Sequence, residues 1–201
     1  MPLRSPSRLG RATRGSEEFV RVLAFSDGVF AIAMTLLVAG LAVPDVAGSE
    51  LVRALLEEYD DLFAFALSFA VIGFYWMAHH RFFRLLAFVD DGLVRINLAY
   101  MGLIAFLPFP TALMARYDGA ATAVAMYACA VAAASLVEVL MLRRARRTGA
   151  LTDAMDDDEY RHALEASMAP VAVFFASVPV AFAHPVAGMA TEYVDGVSLQ
   201  A

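Results

Sequence analysis

Apolar residues along this chain come in runs of about twenty, separated by short clusters of charge, Gly and Pro. Runs of that length match the roughly 20 residues that a helix needs to cross a bilayer. The first extends roughly from Phe19 to Val43 and stops at Pro44-Asp45. Ser49 then reads as the N-cap of an amphipathic stretch, Glu50 to Asp61, leading into a second span over roughly residues 62–80. A third span is expected over 93–115, with Pro108 and Pro110 in its last turns predicting a kink or an unwound segment. Arg116-Tyr117-Asp118-Gly119 reads as a turn before a fourth span over 120–142. A fifth is expected over 163–183, His184-Pro185 as a turn, and a short sixth over 185–196, which carries Thr191-Glu192. Residues 1–17, rich in Arg, Ser, Gly and Pro, are expected to form a disordered cytoplasmic tail, and residues 18–201 a single transmembrane domain. The predicted class is an all-α integral membrane protein of about six transmembrane helices, without a separate soluble domain.

Composition strengthens this reading. Of the 201 residues 61% are hydrophobic and only 18% charged, against about 45–50% and about 25% in soluble domains. The net charge of −6 argues against a nucleic-acid binder. Cys129, the single cysteine, sits in an apolar run and reads as a small packing residue. The first apolar run is too long for a signal peptide, carries Asp27 and lacks a small-residue cleavage pattern, so it reads as a retained spanning helix. All 15 basic residues are arginine. Arg4, Arg8, Arg11 and Arg14, then Arg81 and Arg84, then four arginines between Arg143 and Arg147, fall on one side if the five clear spans alternate. That asymmetry predicts a multi-pass cell-membrane protein with a cytoplasmic N-terminus. Opposite it lies an acidic connection with Asp45, Glu50, Glu57, Glu58, Asp60 and Asp61, either a solvated loop or a surface that concentrates cations.

Ionisable and polar groups near the cytoplasmic end of the spans are the first candidates for chemistry. Asp27 lies inside the first span, where a carboxylate needs a partner or water. Arg21 precedes it by six residues and Ser26 by one; His79, His80, Asp90, Asp91, Arg95 and Asn97 fall at a similar depth in spans two and three. One polar cluster knitting three helix ends together accounts for these residues, as a packing lock or as a titrating, gate-coupled network. A hydrolase triad from Ser26, a histidine and an aspartate lacks a nucleophile elbow and a Gly-rich oxyanion segment. A metal site is disfavoured because adjacent His79 and His80 point about 100° apart on a helix. No cofactor is implied.

Gly28, Ile32, Thr35 and Ala39 are spaced four, three and four apart and share one face of the first helix. Small residues on a helix face permit close packing, so a packing seam is one reading. The other is a pore lining in a symmetric oligomer, with Ile32 as a dry constriction and Thr35 a hydroxyl ring one turn away.

The run from Arg21 through Phe25-Ser26-Asp27-Gly28 to Thr35-Leu36-Leu37 closely resembles the first-helix signature of bacterial homologues of transmembrane protein 175. Further matches follow in order: Trp76, His79-His80-Arg81, Asn97, and Phe106-Leu107-Pro108-Phe109-Pro110-Thr111. The resemblance covers most of residues 21–111. It implies potassium-permeable channels of six-helix subunits assembled as homotetramers, the first helix lining the pore, without the Thr-Val-Gly-Tyr-Gly filter that is also missing here. It further implies an interhelix network of Arg21, Phe25, Ser26, Asp27, Trp76, His79 or His80, and Asp90 or Asp91. On that basis Ile32 is the constriction, Thr35 the selectivity residue, and Gly28 and Ala39 further pore-lining positions. The last helix departs from the pattern by being short and polar at its end. The expected function is a leak-type, potassium-selective channel rather than an enzyme, its partners being potassium ions, the bilayer and copies of itself. The competing readings are a proton conductor, or a non-channel membrane protein that uses the Asp27 and histidine cluster.

Overall fold

The computed structural model describes residues 10–117, 120–152, 155–168 and 172. A short strand β1 (Ala12–Thr13) leads into helix α1 (Glu17–Val38). Helices α2 (Leu51–Glu57) and α3 (Tyr59–Arg84) follow, then strand β2 (Phe88–Val89). Helices α4 (Asp91–Phe106), α5 (Pro108–Arg116) and α6 (Ala121–Thr148) come next. Residues 157–168 are also helical. Four stretches among the described residues are long and apolar enough to cross a membrane: Glu17–Val38, Asp61–Arg84, Asp91–Arg116 and Ala121–Thr148. The shortest has 22 residues, which at 1.5 Å per residue reaches about 33 Å, the thickness of a hydrocarbon core. The chain is an all-α integral membrane protein.

Local chemistry places the ends. Ser16 caps α1 by accepting the Phe19 N–H at 3.3 Å, and Glu17 and Glu18 lie where the helix dipole favours negative charge. The expected first span ran on to Val43, but the helix ends at Val38, ahead of the Gly40 turn and Pro44. Ser49 does not cap α2; Glu50 holds that position without a side-chain bond, because the 47–50 segment closes as a turn with Glu50 N–H on Ala47 O. The third span breaks where the prolines predict. Leu107 N–H bonds Ile104 O at 3.2 Å, and Pro108, which has no N–H to offer, restarts the helix as α5. The fourth span continues past Leu142, so Arg143–Arg147 form the last turns of α6 rather than a connection. Gly149 stops it at φ +66°, with Ala150 N–H returning to Ala145 O at 2.8 Å. Most of the expected fifth span and all of the sixth lie outside the described residues.

Residues 10–16, expected within a disordered tail, are ordered by pairing. β1 runs antiparallel to β2, Ala12 opposite Val89 and Thr13 opposite Phe88. On its other side the same connection bonds residues 150–152: Ala87 N–H to Ala150 O and Thr152 N–H to Leu85 O, both 2.8 Å. Arg11 stacks over Phe88 at 4.5 Å. This clasp joins the start of α1 to the ends of α3 and α6, so the three arginine-bearing segments share one end of the bundle.

Helix α1 packs on α3 and α4, α4 on α6, and α5 bridges α3 and α6. Phe30, His79, Tyr75 and Tyr100 form a ring-packed centre, with Tyr75 and Tyr100 edge to face at 6.2 Å. Tyr75 donates its hydroxyl to Val131 O at 2.8 Å and accepts from Ser135 at 2.7 Å, tying α3 to α6. Tyr75→Phe strands the buried Ser135 hydroxyl. It is expected to destabilise the protein by about 1 kcal/mol in thermal unfolding, while Tyr117→Phe, at an exposed tyrosine, leaves the melting curve in place.

Candidate functional site

Helix α1 has two unlike faces. Phe19, Ser26, Phe30, Ala33 and Leu37, spaced at helical intervals, are buried against the bundle. Gly28, Ile32, Thr35 and Ala39, the stripe singled out from the sequence, are all exposed in the subunit, Ile32 at 60%. The Thr35 hydroxyl donates to Ile32 O at 2.9 Å. Its proton is therefore committed to the helix, and its oxygen lone pairs are left facing outward.

Three hydrogen bonds run in one direction behind that face, and the one from Asn97 to Ser26 crosses onto α1 and holds its rotation. His79 Nε2 donates to Asn97 Oδ1 at 2.9 Å, Asn97 Nδ2 donates to Ser26 Oγ at 2.9 Å, and Ser26 donates to Val22 O at 3.0 Å. Asn97 Oδ1 only accepts, which fixes His79 as the Nε2–H tautomer. Ser26, His79 and Asn97 are at most 2% exposed. His79 Nδ1 and the Tyr100 hydroxyl have no hydrogen-bond partner among the described residues. The chain thus ties α3 through α4 to α1.

The remaining members of the expected cluster separate from this chain. Asp27 accepts the Trp76 indole N–H at 3.0 Å on a half-exposed flank, where His80 stacks on Trp76 at 5.7 Å. Asp90 sits at the water end of α4. It caps that helix through Leu93 N–H at 2.8 Å and takes a two-pronged bond from Arg144 at 3.1 and 2.7 Å. Gly92 makes this pair possible, because a Cβ there would run into the Arg144 guanidinium. The same guanidinium holds the Asp90 carboxyl below its ordinary range, with the Leu93 N–H adding to the effect and partial burial opposing it. Phe25 is 53% exposed, and Arg21 lines an outer cleft with Glu18, Asp91 and Arg95. Neither joins the Ser26–Asn97–His79 chain.

Several polar residues were not anticipated. Thr111 donates to Ser68 at 2.8 Å and Ser68 to Tyr127 at 3.3 Å, which locks α5 to α3 and α6 at the other end of the bundle. The signal was present, since a hydroxyl inside an apolar span must find a partner. Glu138, the one carboxylate within the fourth apolar run, lines a cavity of about 480 Å³ with Phe74, Arg81, His162 and Ser167. Among the described residues no group of three or more His, Cys, Asp or Glu is placed to hold a metal ion.

Fold and site together define a multi-span helical membrane protein whose first helix is locked on one face and bare on the other. The family model described as endosomal/lysosomal potassium channel TMEM175 matches residues 21–108. A potassium channel of Streptomyces collinus is 40% identical over 142 residues, 68% of this chain and 69% of that protein. A potassium channel of Chamaesiphon minutus is 47% identical over 100 residues, 48% of this chain and 49% of that protein. The crystal structure of a lysosomal potassium-selective channel TMEM175 homolog from Chamaesiphon minutus aligns with a TM-score of 0.65 and 35% identity, covering 84% of this chain and 92% of that one. The chain belongs to the TMEM175 family.

The Asp90–Arg144 pair sets a pH dependence. Because the folded carboxyl has the lower pKa, its contribution is complete above the ordinary aspartate value of about 4 and is lost as pH falls through the folded value. Asp90→Asn keeps the cap but not the pair. With Arg144 37% exposed, the loss at neutral pH is expected to be about 0.5 kcal/mol by thermal unfolding, shrinking as the pH is lowered below about 4.

Proposed function

We propose that this chain is a potassium-selective, leak-type channel, a homotetramer in which four copies of α1 surround the ion path. The observation that carries this reading is the exposed stripe of Gly28, Ile32, Thr35 and Ala39, presented by a helix that the buried Asn97–Ser26 bond and the packing of Phe30 hold in one rotation. Four Ile32 side chains form a dry constriction, which blocks ions by dewetting. Four Thr35 hydroxyls, their protons held by the backbone, offer oxygen lone pairs in place of part of a cation's water shell.

The arginine-rich end of the bundle faces the cytoplasm by the positive-inside rule, in a cell-membrane location, with Arg53 and Arg116 toward the other side. Ions then move down their electrochemical gradient without covalent chemistry. The Ser26–Asn97–His79 chain lies on the buried side of α1, away from the stripe, and acts as a lock rather than as a proton path. Arg21, Phe25, Asp27 and Trp76 support the same helix from its flank.

Two substitutions test the assignment in liposomes with defined cation gradients. Thr35→Ala removes the hydroxyl layer and is expected to lower potassium-over-sodium preference several-fold; an unchanged bi-ionic reversal potential overturns its role. Ile32→Asn wets the constriction and is expected to raise the potassium leak several-fold, whereas wild-type flux in that variant counts against Ile32 as the narrow point.

A further inference from the structure

The arginine run that closes α6 does two separate things. Arg144 turns inward to Asp90, and Ala145 beside it is fully buried. Arg143, Arg146 and Arg147 are exposed and, with Tyr160 from the following helix, line a cleft of about 360 Å³. Arg146 lies over the Tyr160 ring at 4.0 Å and pairs with Asp157 at 2.5 Å. Arg143 and Arg147 make no ion pair among the described residues. Three guanidinium forks thus converge on a concave surface with one carboxylate among them, a geometry suited to the tetrahedral oxygens of a phosphate.

The register of the helix indicates where that phosphate comes from. Leu136, Leu140, Arg143 and Arg147 are spaced four, three and four apart and share one stripe of α6. The two leucines are 51% and 45% exposed and lie within the spanning segment, one to two turns below the arginines. An exposed apolar strip that ends in a cationic cleft at the membrane surface matches the shape and polarity of a phospholipid, acyl chain below and headgroup above. Positive-inside topology accounts for the number of arginines at this end but not for their convergence with Tyr160 or for the leucine strip beneath them.

We propose that Arg143, Arg146 and Arg147, with Tyr160, bind the phosphate of an anionic phospholipid whose acyl chain lies along Leu136 and Leu140. The lipid braces the last turns of α6 against the helix of residues 157–168, and through Arg144–Asp90 it reinforces the end of the bundle that holds the entry to α1.

Native mass spectrometry of the full chain, titrated in detergent with phosphatidylglycerol or phosphatidylcholine, tests this. The wild type is expected to retain phosphatidylglycerol about tenfold more strongly than phosphatidylcholine, and Arg143→Gln with Arg147→Gln to remove most of that preference. Asp157→Asn, which frees Arg146, is expected to raise phosphatidylglycerol retention and carries the test if the double variant does not fold. Arg53→Gln, at the opposite end, should leave retention unchanged. Equal retention of the two lipids, or phosphatidylglycerol retention that survives loss of both arginines, overturns the site. Displacement of the lipid by inorganic phosphate at matching concentration overturns the lipid assignment in favour of a free-anion site. Retention is read without conductance, so the result stands apart from the channel reading.

Discussion

The rotation of the first helix is the constraint on which the rest depends. A helix in a bilayer has no hydrophobic reason to prefer one azimuth, since lipid tails are as apolar as its side chains. The bond from Asn97 to Ser26 supplies that preference, because another rotation of α1 leaves the buried Asn97 amide N–H without its partner while His79 still holds the Asn97 carbonyl. Phe30 fits into the aromatic centre beside His79 and Tyr100 only in the same orientation. Ile32 and Thr35 are exposed in consequence, and the ion path proposed above follows from a hydrogen-bond pattern on the opposite face.

Each end of the bundle is fastened by its own chemistry. At the arginine-rich end, the β1–β2 clasp and the Asp90–Arg144 pair join the start of α1 to the ends of α3 and α6. These contacts are partly wet, so each is individually modest and their number matters. At the far end, Thr111, Ser68 and Tyr127 form a buried hydroxyl chain beside the α4–α5 break. The break is functional in packing terms: Pro108 gives up one backbone bond, and α5 gains an independent direction that lets it contact both α3 and α6. The exposed face of α1 runs between two fixed ends.

Much of this was legible in the sequence because lipid imposes simple rules. The existence of the first four spans, the proline break and the shared side of the arginine clusters follow from hydropathy and charge alone. The stripe of Gly28, Ile32, Thr35 and Ala39 follows from helical spacing, although spacing cannot separate a packing seam from a pore lining. The members of the polar cluster were legible, but which of them pair across helices was not. Asp90 and Arg144 are 54 residues apart, and their meeting depends on α6 running six residues past the apolar segment. The apolar run ended at Leu142, but helical geometry does not end where hydropathy does. The strand pairing of residues 12–13 was hidden for a similar reason, since a two-residue ladder has no periodicity to detect. Which histidine joins the network depended on the buried face of α3: His79 points inward, and His80 is left stacked on Trp76.

The central claim is that copies of α1 face one another around an axis. Spin labels at Ala39, introduced as cysteine with Cys129 replaced by alanine, measure it directly in liposomes through dipolar distances. A fourfold axis gives two intermolecular distances related as the side and diagonal of a square. A single distance, or no intermolecular coupling at all, would contradict it.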